Sequence, residues 1–273
     1  MNNQRERIYS YYKAESGRVI KEYLIDHIKW GLDIAEEIIN GRTVRNFIRD
    51  ISERAKQPYD QILFWFKKAI NYSIILHDIG KIFFQNNKKI HGDVQYISFR
   101  GHELLSALIC KEILYKYPLF YKELKYENLV YFNDIFKFPT LFSITYHHHA
   151  MNIEVRKSAL NEYNNLEINV RVYRQDLMEM FSLLNEKNEL INMAISYIES
   201  LAKMNVREIQ SKIDFQLKEI WDRYVRGGFI RQLSLLLLTI LTTVDYKSCI
   251  GRGGERSRFR NVLEEYYKIL TEK

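Results

Sequence analysis

Seven histidines stand in this chain of 273 residues: His27, His77, His91, His102, His147, His148 and His149. Imidazole can be an acid, a base or a metal ligand near neutral pH, so their placement decides which chemistry is open. The most telling stretch is Ile74-Ile75-Leu76-His77-Asp78-Ile79-Gly80-Lys81. A His and an Asp stand side by side at the end of an apolar run, and Gly80 offers a place to turn. Burying an ionised carboxylate beside Leu76 and Ile79 is costly unless a cation or a donor satisfies it. A divalent metal is the simplest partner, because imidazole and carboxylate both ligate first-row metals. A surface helix end would carry the same letters, so the other histidines must point to the same place.

The elements that would position them can be read from periodicity. Residues 18–40 are predicted as an amphipathic helix, with Ile20, Leu24, His27, Gly31, Ile34 and Ile38 on one stripe. A second short helix is expected over 42–56. Tyr59 to Leu76 forms a third, carrying Ile62, Phe66, Ile70 and Ser73 on the face that ends in His77. Residues 83–100 read as a loop that leaves His91 on the surface. Another helix opens at Gly101, with His102, Leu105, Ile109 and Ile113 aligned. A further helix is expected from Phe138 to Ala150, with Pro139 near its start. It ends in His147-His148-His149. Each residue turns a helix by about 100°, so three adjacent histidines cannot share a face. One or two of them can be ligands. The most apolar helix, 228–250, places Asp245 on the face of Ser234, Leu238 and Leu241. Asp245 could equally pair with Lys247.

Between these helices the period changes. Met151, Ile153 and Val155 alternate with polar residues, and so do Leu166, Ile168, Val170 and Val172. This predicts a small β-hairpin, followed by amphipathic helices to residue 224. The stretch 151–224 therefore reads as an insertion within one domain of residues 1–273. After Asp245 comes Gly251-Arg252-Gly253-Gly254-Glu255-Arg256-Ser257-Arg258-Phe259-Arg260. Such a loop can follow a phosphodiester backbone, with Arg252, Arg256, Arg258 and Arg260 as the contacts, or it can be a solvated surface. A last helix is expected over 262–270.

Composition agrees with a mainly α fold. Hydrophobic residues make up 47% of the chain, while 3 prolines and 11 glycines leave little for a turn-rich β architecture. The net charge of +7 suits a polyanionic partner as well as a soluble surface. Cys110 and Cys249 match no disulfide framework or zinc-thiolate spacing, as a reducing cytoplasm would allow. The N-terminal residues carry no signal-like apolar region, and the apolar run Leu235 to Leu238 is too short to span a bilayer. A cytoplasmic protein without a membrane partner is expected. There is no P-loop.

In chain order, the inward groups are His27, His77-Asp78, His102, His147-His148-His149 and Asp245. Taken with their contexts, Leu76-His77-Asp78-Ile79-Gly80-Lys81, Gly101-His102 with Ser106-Ala107, and Asp245-Tyr246-Lys247-Ser248, they resemble the HD-domain phosphohydrolase superfamily. Within it the chain is similar to the stand-alone HD nuclease of type I CRISPR interference, whose helicase is a separate chain. The likeness covers about residues 20–150 and 228–260. It departs from the pattern at Gly101, where an arginine is common, and in having three histidines in the fourth motif. Because small Ala150 follows, His148 and His149 are favoured as the ligand pair, with His147 as the register alternative.

The resemblance implies an HD-type helical bundle holding two divalent ions (Mn, Co, Ni, Fe, Zn or Mg) bridged by Asp78. One ion would take His27, His77 and Asp245, the other His102 and the paired histidines. Asp78, His77 and Lys81 would be catalytic, with Lys81 near the phosphate. The expected substrate is single-stranded DNA, and the expected partners are a separate helicase and an RNA-guided surveillance complex. Two other expectations remain open. One is hydrolysis of small nucleotides, such as dNTPs or cyclic dinucleotides. The other is a catalytically silent binding module.

Overall fold

The first element is a hairpin where the Ile20–Ile38 spacing predicts the start of a helix. In the computed structural model, which describes residues 6–116, 129–148, 153–163, 169–226, 228–249 and 258–272, β1 (Tyr9–Glu15) pairs antiparallel with β2 (Arg18–Tyr23). The connecting Ser16 and Gly17 have φ of 48° and 79°. Two successive positive φ values match the twist of a two-residue hairpin. Helix α1 (Leu24–Ile39) follows directly, so the predicted stripe is helical only from Leu24 onward. Ile20 lies on β2. The helical spacing ran across a strand–helix junction, which periodicity alone does not mark.

Helices α2 (Arg42–Ala55) and α3 (Tyr59–Leu76) follow, and α3 hands over to His77 and Asp78 and then to a 3-10 turn, Ile79–Phe84. The expected loop over 83–100 contains two short strands instead, β3 (Lys88–His91) and β4 (Val94–Ile97). They complete an antiparallel sheet in the order β2-β1-β4-β3. Lys88-Lys89-Ile90-His91 is mostly polar and exposed, and Val94-Gln95-Tyr96-Ile97 is only four residues long, so alternation gives no clear signal there. His91 is exposed on β3, away from the other histidines.

The remaining helices are α4 (His102–Lys116), α5 (Leu129–Tyr146), α6 (Ile153–Ala159), α7 (Arg174–Ser182), α8 (Asn188–Leu201), α9 (Val206–Arg226), α10 (Gly228–Ser248) and α11 (Arg258–Thr271). Helix α5 begins earlier than expected, and Pro139 lies inside it. The β-hairpin expected within 151–175 is not formed by the described residues. Ile153 and Val155 belong to α6, while Val170 and Val172 belong to a 3-10 turn, Val170–Tyr173. Of this last pair only Val170 is buried; Val172 is 41% exposed. A short alternation of apolar residues is thus compatible with a tight helical turn that buries one of them. Met151, Leu166 and Ile168 lie outside the described residues.

One buried cluster runs through the chain, joining Ile28 of α1, Phe66 of α3, Leu105 of α4, Ile144 of α5 and Leu241 of α10 with Phe181 and Ile195 of α7 and α8. Two glycines set the spacing of the helices that carry chemistry. A Cβ on Gly31 would lie 3.0 Å from Ile74 Cγ2 and 3.1 Å from Val244 Cγ1. The absence of a side chain there lets α1, α3 and α10 converge. A Cβ on Gly80 would lie 2.1 Å from the carbonyl oxygen of His102. Gly80 is therefore required by the close approach of the 3-10 turn to α4, where its N–H donates to Ser106 Oγ at 2.8 Å. No single helix among the described residues is long and apolar enough to cross a membrane.

Candidate metal centre

His27, His77, Asp78, His102, His147 and Asp245 are brought together from five helices or their ends. His77 sits at the C-terminal cap of α3, and its N–H still donates to Ser73 O at 2.9 Å. Its ring Nδ1 meets Ile74 O at 2.7 Å. His102 repeats the device with Phe99 O at 2.6 Å, and His147 repeats it with Ile144 O at 2.8 Å. In each case the carbonyl three residues earlier accepts a hydrogen bond from Nδ1–H, which leaves Nε2 toward the centre as the atom able to ligate a metal. His27 is oriented differently, with Nδ1 3.0 Å from Glu22 Oε1 and 3.1 Å from Ser248 Oγ. Fixing one ring nitrogen in this way sets the tautomer and raises the basicity of the other.

The donor atoms fall into two groups that share Asp78: His27, His77, Asp78 and Asp245, and Asp78, His102, His147 and His148. Within the first, His27 Nε2 is 3.1 Å from Asp245 Oδ1 and 3.6 Å from Asp78 Oδ2. His77 Nε2 is 3.4 Å from Asp78 Oδ2 and 3.5 Å from Asp245 Oδ1. Toward the second group Asp78 presents its other oxygen, Oδ1, 2.7 Å from His102 Nε2 and 3.9 Å from His147 Nε2. Ligands about 2.1 Å from a tetrahedral ion stand about 3.4 Å apart, so this spacing suits a small divalent cation. Each group has three buried members and one partly exposed, Asp245 in the first and His148 in the second.

Electrostatics make the same demand. Burial pushes the Asp78 carboxyl up, but His77, Lys81 and His102 together hold it well below the usual range. Asp245 is likewise pushed up by burial and brought well below by His27 and His77. Burial pulls the His77 imidazole down, yet the two carboxylates override it and raise it to about 10. His147 is held well below the ordinary histidine value by burial and by His148 and His77. His148 is lowered to about 3 by burial and by His102. Protons alone therefore satisfy one side of the cluster and not the other. The buried Nε2 atom of His147 finds no hydrogen-bond partner among the described residues. A neutral His147 turns its Nε2 lone pair toward carboxylate oxygen, and two acceptors facing each other away from water need a cation between them. The residues fit a metal on this ground.

Of the candidate ligands, the structure brings together His27, His77, Asp78, His102, His148 and Asp245. It also brings in His147, the register alternative, while His149 lies outside the described residues. Lys81 is buried, with Nζ donating to Asp78 Oδ2 at 2.5 Å and lying over the Phe99 ring at 5.4 Å. It braces the carboxylate that the two groups share. Arg252 and Arg256 lie outside the described residues, and Arg258 and Arg260 open α11.

Four contributors were not anticipated. Glu22 and Ser248 hold His27. Glu103, buried next to His102, has Oε2 3.6 Å from His102 Nδ1. Arg156 of α6 is buried, forms an ion pair with Glu103 and donates to His148 O at 3.2 Å. Glu103 could have been suspected from its place beside His102. Arg156 sits 53 residues further along and carries no local signal.

The chain is a mainly helical protein with a buried His/Asp cluster able to hold metal, compatible with an HD-type fold. Comparison with protein-family models, with curated proteins and with solved structures finds no match.

Proposed function

We propose that this chain is a metal-dependent phosphodiesterase of the HD type acting on DNA, with single-stranded DNA preferred. The observation that carries the reading is the pair of imidazole–carboxylate donor groups sharing Asp78. Bound divalent ions would activate water and neutralise charge on a scissile phosphate. The chain's own residues prepare that chemistry. Asp78 offers one oxygen to each group, and Lys81 holds the carboxylate in that orientation. Backbone carbonyls of Ile74, Phe99 and Ile144 keep Nδ1 of three histidines occupied, so each Nε2 faces inward. Asp245 and His148 are the more exposed donors, one in each group, and are the ones a substrate would reach first. Five imidazoles favour Mn, Fe, Co, Ni or Zn over Mg in intrinsic affinity.

The choice of DNA over small nucleotides rests on the resemblance, on the net charge of +7 and on the arginines between 252 and 260. The same resemblance supports a role in type I CRISPR interference with a separate helicase and an RNA-guided complex. The test is one assay: purified protein with Mn²⁺, offered single-stranded DNA, duplex DNA and a panel of dNTPs and cyclic dinucleotides. Single-stranded DNA should be cut, and EDTA should stop it. Replacing two of the four arginines by alanine should flatten the salt dependence of DNA binding by about 0.7 log unit per lost contact. Cleavage of nucleotides alone would move the reading to a small-nucleotide phosphohydrolase. Metal binding without hydrolysis of any substrate would leave a binding module.

A further inference from the structure

The stretch 151–224 brings a charged side chain, Arg156, into the vicinity of the centre. Arg156 is 6% exposed and Glu103 1% exposed. Guanidinium and carboxylate are paired, and the same guanidinium reaches the main-chain oxygen of His148. Stability does not explain such a pair well. Desolvating two charges offsets most of their attraction, and apolar residues of similar size often serve a core as well or better. Its contacts suggest another use. Glu103 immediately follows the donor His102, with its carboxylate near Nδ1 of that ring. His148 follows α5, where helix carbonyls have lost their intrahelical partners, and an arginine can satisfy such a carbonyl. One planar guanidinium with a fork of donors can reach a carboxylate and a carbonyl at once, which an ammonium does less well.

We propose that Arg156 is a positioning residue for the second donor group: by tying His148 O to Glu103, it fixes His148 relative to His102. On this account α6 is a working part of the metal centre, although it lies in the inserted stretch. The inference rests on the metal reading given above but not on any substrate, and its test reads metal rather than catalysis. Groups that orient ligands typically contribute about 10- to 100-fold to metal affinity.

The experiment measures Co²⁺ binding by equilibrium dialysis and by visible absorption in four proteins: the parent, Arg156→Met, His148→Ala, and the double variant. Thermal melts check folding. The parent should bind Co²⁺, and Arg156→Met should weaken one class of site by about 10- to 100-fold with an altered absorption band. In the His148→Ala background the same change should cost little more, since its target is already gone. Arg156→Lys keeps a charge beside Glu103 and serves if the methionine variant does not fold; it should still bind Co²⁺ more weakly than the parent, because an ammonium does not span both acceptors as the planar guanidinium does. Unchanged affinity and spectrum in folded Arg156→Met or Arg156→Lys would overturn the proposal. An equal loss with and without His148 would overturn it too, because it would show general support of the fold. A parent that binds no Co²⁺ would remove the metal reading itself and the inference with it. A parent that binds Co²⁺ while the arginine variants match it would remove the inference alone.

Discussion

The two donor groups on either side of Asp78 are built differently. The first, His27, His77, Asp78 and Asp245, contains two carboxylates and draws on α1, the end of α3 and the end of α10. The second, Asp78, His102, His147 and His148, contains one carboxylate and three imidazoles from the start of α4 and the end of α5. Without metal, the first group can be balanced by a proton, because His77 lies between two carboxylates that raise it to about 10. In the second, burial keeps two of the three imidazoles, His147 and His148, neutral. The contrast teaches that a shared carboxylate does not make two equal donor groups. A metal ion entering the more anionic group would compete with protons, whereas the imidazole-rich group would offer it unprotonated lone pairs.

The largest effect should come from removing what the groups share. Asp78→Ala should deplete metal from both and abolish any phosphodiesterase activity, read by elemental analysis and a Mn²⁺ activity assay. It also strips buried Lys81 of its partner, and breaking a buried pair on one side costs about 3–5 kcal/mol. The variant should therefore melt below the metal-free parent. Metal content equal to the parent's would break the account of Asp78 as a common ligand.

Next come changes confined to one side. Asp245→Asn should cut metal content while sparing the second group, and His147→Ala should do the reverse. Each should leave about half of the parent's saturating Co²⁺, measured by dialysis at matched free metal. The His147 variant also tests register. Full metal content in His147→Ala, with loss in His149→Ala, would place the ligand pair one residue later than the described geometry has it.

The smallest effect concerns protons. In the metal-free protein the raised His77 stabilises the fold fully below the ordinary histidine value of about 6.5, and this is lost as pH rises toward about 10. His147 and His148 have the opposite sign. They remain neutral in the fold while the unfolded chain gains protons, so their contribution is present above about 6.5 and fades as pH falls. The metal-free melting temperature should accordingly fall in both directions from near pH 6.5. Metal uptake at pH 7 should displace the proton of His77 in the His147→Ala protein, which keeps the first group. It should displace none from His148 in the Asp245→Asn protein, which keeps the second. Calorimetry in buffers of different ionisation enthalpy reads the difference, and equal proton release would erase the distinction between the groups.

What the sequence by itself determined is local. Apolar spacing placed His77, His102 and Asp245 on the inner faces or ends of helices, because burial along a helix follows its 3.6-residue turn. The residue types then limited the chemistry to imidazole and carboxylate ligands. The division of the donors between two groups came with the family resemblance; the tertiary structure puts His27, His77 and Asp245 on one side of Asp78 and His102 with His147 and His148 on the other, where the resemblance favoured His148 and His149. Other features required the folded chain. Nothing local says that His147 leads inward with its Nδ1 on Ile144 O, since three adjacent histidines differ only in rotation and α5 ends at Tyr146. β2 and β4 exist through pairing with β1, β4 across about eighty residues of sequence, and β3 exists through pairing with β4. Arg156 reaches Glu103 and His148 O only because α6 packs where it does. Periodicity records which side of an element is buried; which partner it meets there is decided by packing between distant segments.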